Sequence, residues 1–196
     1  MPVSFGELDS LTLNDNSFDL SDAYGNLDTD ALSEHIGLEV LGLIGVDMLN
    51  HFDILFDIPT GKITFSKEEM SFQSDTLPID NFMGIPIIEV MIDGTPQKMF
   101  FDTGAQISYW QDEALSNFPS LGKVTDFYPG FGEFETETYQ LELSIDTESN
   151  KLICGSLPGL LGETLMMASA HGIINNEIMK DRVIGYFPDS KQLVFG

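Results

Sequence analysis

Apolar residues in this chain come in short runs of Phe, Ile, Val and Leu, broken by Gly or Pro about every ten residues, which is the pattern of a mostly β protein. The runs predict strands at 10–13, 53–56, 62–65, 87–92, 97–101, 134–145, 151–154, 183–187 and 192–195. Asp93-Gly94 and Thr60-Gly61 have the chemistry of tight hairpin turns. Helical pattern is scarce: 47–51 and 176–180 suit short helices after a glycine-containing turn, and 111–117 suits another. The polar stretch Lys67–Pro78 reads as a linker.

The pattern also repeats. Residues 42–65, GLIGVDMLNHFDILFDIPTGKITF, align without a gap to residues 172–195, GIINNEIMKDRVIGYFPDSKQLVF, at an offset of 130 positions. Gly42/Gly172, Ile44/Ile174, Ile54/Ile184 and Phe65/Phe195 are identical, and Leu43/Ile173, Asp47/Glu177, Leu49/Met179, Phe56/Tyr186 and Ile63/Leu193 are chemically alike. Two generic strand-helix-hairpin units would share some of this. The common order of small turn, short helix, strand, Pro-containing hairpin and closing Phe favours a duplicated unit.

Between the two copies lies IPIIEVMIDGTPQKMFFDTGAQISYW, residues 85–110. It predicts a hairpin turning at Asp93-Gly94, whose second strand delivers Asp102 at its end and then Thr103 and Gly104. A carboxylate there sits in a tight turn where a Thr hydroxyl can bond backbone and a glycine lets the chain reverse without a Cβ clash.

Charge narrows the possible functions. With 32 Asp plus Glu against 8 Lys plus Arg the formal net charge is −24, and the few basic residues are scattered. Phosphate neutralisation needs clustered Lys and Arg, so nucleic acid is excluded as a partner, and anionic membrane surfaces are disfavoured. The 42% of hydrophobic residues and 15 Phe supply a core, against disorder. No apolar run is long enough for membrane insertion, and the first 20 residues hold four acids and no Lys or Arg, unlike a signal peptide. The compartment stays open, extracytoplasmic if a signal lies upstream. One cysteine, Cys154, rules out an internal disulfide, and His35, His51 and His171 lack metal-ligand spacing, so no metal is expected. Cys154 in its apolar strand and the Met166-Met167 pair read as core filling, while Trp110 reads equally as core plug or pocket wall.

The segment FFDTGAQIS resembles the active-site loop of the pepsin and retropepsin class of aspartic proteases, and GLIG and GIIN, each before a short helix, resemble that class's hydrophobic-hydrophobic-Gly element. The resemblance implies an all-β acid-protease barrel fold. Residues 78–196 would form one complete lobe, 1–70 the second half of another, and 71–77 a linker. It also implies peptide-bond hydrolysis of a peptide or protein substrate without a cofactor, by two carboxylates that share a proton and activate a water. Asp102, Thr103 and Gly104 would be the catalytic loop. Ala105 would face substrate, with Gly130, Phe131 and Gly132 at the tip of a hairpin that either covers the cleft or is an ordinary surface ribbon. The acids Glu133, Glu135, Glu137 and Glu142 fit a solvated face of that ribbon rather than a glycosidase pair.

Two departures stand out. The first copy carries no Asp-Thr-Gly: at the repeat offset it would fall 28 positions before Met1. The partner carboxylate is therefore expected from a missing N-terminal half-lobe or from a homodimer. If neither supplies it, the chain is a non-catalytic binding or assembly module on the same fold. Asn175 stands where the first copy has Gly45, and the fold is expected to tolerate it because Asn accepts left-handed backbone.

Overall fold

The computed structural model describes residues 10–13, 16–19, 28–71, 74–128, 131–146 and 148–196. In chain order these form β1 (Ser10–Leu13), β2 (Asn16–Asp19), α1 (Thr29–Ile36), α2 (Val46–Leu49), β3 (Asp53–Asp57), β4 (Lys62–Ser66), β5 (Asp75–Pro78), β6 (Asp80–Phe82), β7 (Ile85–Ile92) and β8 (Thr95–Phe101). Then come β9 (Ser108–Trp110), a 3-10 turn (Glu113–Asn117), β10 (Ser120–Tyr128), β11 (Gly132–Ile145), β12 (Glu148–Gly155), α3 (Gly159–Met167), β13 (Gly172–Ile174), a second 3-10 turn (Asn176–Met179), β14 (Val183–Phe187) and β15 (Gln192–Phe195). The chain is mostly β. The end of the expected linker is structured, since Asp75–Pro78 pairs with β15 as an edge strand. Among the described residues no helix is long and apolar enough to cross a membrane.

An eight-stranded sheet has the order β10-β11-β12-β9-β13-β8-β7-β6, with β11 also touching β7. Its central feature is β13, which lies parallel to β8 on one side and antiparallel to β9 on the other. Gly172 is required there. A Cβ on it would meet the Tyr109 carbonyl oxygen at 1.9 Å, so only glycine lets three backbones approach this closely. The β7–β8 turn is the expected one, with Asp93 at φ 48° and Gly94 at φ 74°.

Strand alternation splits the buried residues between the two faces of this sheet. Met99, Phe101 and Ile174 face the larger cluster, with Ile88, Val90, Leu141 and Trp110, whereas Phe100, Ile173, Ile107 and Tyr109 face a second one closed by Leu161 and Leu165 of α3. Trp110 is thus a core plug, its indole N–H without a partner among the described residues. Cys154 is buried in the same core, and burial pushes its thiol well above the ordinary value. Met166 and Met167 correct the expectation of core filling. They are exposed, because α3 turns Leu161, Gly162 and Leu165 inward and its last residues lie off that face.

A five-stranded sheet, β4-β3-β14-β15-β5, contains both hairpins of the repeat. β3 and β14 pair antiparallel, Leu55 opposite Gly185, and these two positions are 130 apart in sequence. The repeat is also longer in three dimensions than in sequence. α1 begins 130 residues before α3, and β1–β2 and β11–β12 are hairpins that close alike, Leu13 opposite Asn16 and Ile145 opposite Glu148.

Candidate active site

Strand β8 carries a run of buried side chains up to Phe101 and then releases Asp102 to the surface. The Asp102 amide donates to the Ile174 carbonyl at 2.9 Å, which continues the parallel β8–β13 ladder by one residue and sets where the carboxylate emerges. The Gly104 amide donates to Asp102 Oδ1 at 2.9 Å, and the Ala105 amide to the Asp102 carbonyl at 3.3 Å. A Cβ on Gly104 would stand 3.2 Å from Asp102 Oδ1, so a small residue suits the tight loop. Asp102 Oδ2 accepts no hydrogen bond among the described residues.

The loop is tied down from beneath by two asparagines and a serine. Asn175 is almost wholly buried. Its Nδ2 donates to the Gln106 carbonyl at 3.1 Å, its Oδ1 accepts from Ser108 Oγ at 2.9 Å, and its amide donates to that same Oγ at 3.1 Å. Asn176 Nδ2 donates to the Thr103 carbonyl at 3.2 Å. The left-handed expectation for Asn175 is corrected. Its φ of −85° and ψ of −173° are extended, and the side chain caps the 3-10 turn by accepting from the Glu177 amide. What keeps an amide at this position is that both its side-chain oxygen and its nitrogen find partners in a buried site, rather than backbone tolerance. The Thr103 hydroxyl makes no hydrogen bond among the described residues; the Thr103 carbonyl is the group that is held.

The hairpin β10–β11 pairs Tyr128 with Gly132, and Gly132 takes φ 99° to make the turn. Of the residues expected to meet substrate, Ala105 packs partly buried beneath the second cluster, Phe131 and Gly132 lie at the described end of the hairpin, and Gly130 lies outside the described residues. Phe131 meets Phe134 edge-on at 6.1 Å between ring centroids, and Phe134 meets Tyr109 at 6.2 Å. The Tyr109 hydroxyl donates to Asp126 Oδ2, and both residues are buried. Burial first, and then this bond, hold the Tyr109 phenol far above its ordinary pKa. The hairpin is thereby fixed to β9, which follows the Asp102 loop.

Ser108, Tyr109, Asp126 and Asn176 do not stand out in the sequence. The one available signal is a hydroxyl residue, Ser108, inside a short strand otherwise made of large apolar groups. Among the described residues no cluster of three or more His, Cys, Asp or Glu could hold a metal ion.

No protein-family model matches the chain, and no curated protein does. Solved structures do match, among them a retropepsin-like aspartic protease from Rickettsia conorii, 16% identical over 64% of this chain and 96% of that one, with a TM-score of 0.42.

Proposed function

We propose that the chain is an aspartic-type endopeptidase half-site, in which Asp102 is one of two carboxylates that activate a water for peptide-bond hydrolysis. The observation that carries this reading is the presentation of Asp102. A solvent-facing carboxylate stands at the end of a buried strand, on a loop held by Gly104, Asn175 and Asn176, with one oxygen oriented by an amide and the other open. Such a group can accept a proton from a water without first breaking a competing ion pair. The second carboxylate, kept protonated by its like-charged neighbour, donates to the substrate carbonyl as the water oxygen attacks carbon. Collapse of the resulting diol with proton transfer to nitrogen breaks the C–N bond.

In this reading residues 78–196 are a complete lobe of the pepsin and retropepsin type and residues 1–70 part of another. Gly104 admits the substrate backbone, Ala105 borders it, and the tip Gly130-Phe131-Gly132 closes over it. A second reading, a binding or assembly module without catalysis, is favoured by Asn175, an amide beneath the Asp102 loop where the first copy has Gly45.

Incubation with a peptide library at about pH 3 to 6, where a carboxylate pair shares its proton, separates the two. The peptidase reading expects cleavage that is lost in Asp102→Asn, and cleavage that survives this substitution removes it. Tight capture of uncleaved peptides, under conditions where the chain is assembled, is the result expected of the binding module.

A further inference from the structure

A pocket of about 310 Å³ opens at the β6 edge of the eight-stranded sheet. Asp80 and Phe82 of β6, Ile87 of β7 and Lys98 of β8 line it, with Ala168 from the end of α3 and Lys191 from the turn before β15. Lys98 Nζ donates to Asp80 Oδ2 at 2.7 Å. Both partners of this ion pair are exposed, so it holds the ammonium weakly and leaves its other N–H donors for a further acceptor. Lys191 makes no ion pair among the described residues. Its carbonyl accepts from the Ile79 amide at 3.0 Å, which fixes the turn to the residue before β6. Lys98 first, and then Lys191, hold the Asp80 carboxyl below its ordinary pKa, so both ammonium groups act on the same spot. The lining thus sets two ammonium groups against one carboxylate, in a chain whose net charge is −24.

We propose that this pocket binds the C-terminus of a peptide whose last residue is apolar. The terminal carboxylate lies between the Lys98 and Lys191 ammonium groups, the last side chain rests on Phe82, Ile87 and Ala168, and the peptide backbone runs along the outer edge of β6. One carboxylate neutralises the lining, whereas a doubly charged phosphate would exceed it and meet Asp80 as a like charge. The volume is at the small end of ligand pockets and suits one side chain with its carboxylate. The backbone contact follows from Pro86. Asn81 stands opposite it in the β6–β7 ladder, and Pro86 has no N–H, so this pair does not exchange two hydrogen bonds. The Asn81 amide and carbonyl therefore point to the outer side of β6, the last strand of the sheet, where Asn81 makes no backbone hydrogen bond among the described residues. An edge strand beside a carboxylate-binding pocket is the arrangement that captures a peptide end by strand addition. No residue of the Asp102 loop lines the pocket, and the proposal stands apart from the peptidase reading.

Fluorescence anisotropy of the full chain at about pH 7, above the range where a carboxylate pair shares its proton, provides the test. The probe is a fluorescein-labelled peptide of alanines ending in a free leucine. Replacing its carboxylate by an amide is expected to weaken binding by about tenfold or more. Lys191→Asn removes one ammonium and suits the φ of 56° at this position. It should weaken the free-acid peptide by about fivefold with an unchanged urea midpoint. Saturating peptide should slow exchange of the Asn81 amide by about tenfold. Octanoate, a carboxylate without peptide groups, separates the two sources of such a ligand. Displacement of the probe only at far higher octanoate concentration supports the strand-edge site, and displacement at equal concentration overturns it. Equal affinity for acid and amide, full affinity in Lys191→Asn, or no binding at about 1 mM peptide likewise overturns the proposal.

Discussion

Leu55 and Gly185 face each other across the β3–β14 ladder, and each is the other's counterpart in the repeat. An antiparallel pair has a local two-fold axis at each residue pair. Because this pair joins equivalent positions, the axis relates α2-β3-β4 to the 3-10 turn, β14 and β15. The five-stranded sheet is therefore symmetric up to β4 and β15, and among the described residues β5 has no counterpart.

The glycines at the start of the two copies should respond differently to one methyl group. Gly172→Ala drives a Cβ into the Tyr109 carbonyl and Met99 Cε, and is expected to cost about 3 kcal/mol or more. Gly42→Ala meets open space and should stay within about 0.5 kcal/mol of the parent. Urea unfolding of both variants measures the difference, and similar midpoints would contradict the packing described for β13.

Asn175→Gly restores the residue of the first copy but removes a buried amide that bonds Ser108, the Gln106 carbonyl and the Glu177 amide. A loss of about 1 to 3 kcal/mol is expected, because the Ser108 hydroxyl and the Gln106 carbonyl lose a partner in a dry site. Amides of the Asp102–Ile107 loop should exchange faster in step. Unchanged stability would show that Asn175 does not hold the loop.

Tyr109→Phe leaves the buried Asp126 carboxylate without its phenolic donor. The expected cost is about 1 to 3 kcal/mol, with faster exchange along β10 and β11. In a double-mutant cycle with Asp126→Asn the two effects should be strongly non-additive. Additive effects would mean that the hairpin is fixed by its aromatic contacts alone.

Alkali provides a separate check on the sheet that joins the copies. Tyr186 donates to Asn50 Oδ1 at 2.6 Å, and burial raises its pKa from 10.0 to about 12. The folded state holds this proton more tightly than the unfolded chain does. The associated stability is complete below about pH 10 and is lost as pH rises through about 12. Tyr186→Phe should flatten that decline in urea midpoint, at a cost of about 1 kcal/mol at neutral pH from the lost bond. The same alkaline slope in Tyr186→Phe would assign the decline to other groups.

Features that depend on neighbours in sequence were legible from the residues alone. Asp93-Gly94 makes its turn because two adjacent residues can take positive φ, and β1, β14 and β15 coincide with apolar runs between turn signals. Short strands such as β9 and β13 were not legible, since three residues have no period. Neither were α1 and α3, whose sequences no longer resemble each other although they stand at the repeat spacing. The Asp-Thr-Gly turn was visible as a motif, whereas its support was not. Asn175, Asn176 and Ser108 reach the loop from positions some 67 to 73 residues away, or from its far side, through contacts that only the β8–β13–β9 arrangement creates.

The sequence by itself determined that residues 42–65 and 172–195 are built to one pattern, because apolar spacing and turn chemistry are local properties of the chain. Tertiary structure alone decided that Ile173, Ile174 and Leu193 are buried while Leu43, Ile44 and Ile63 stand in water. Burial is a property of what lies alongside, and β8, β9 and β5 lie alongside one copy only.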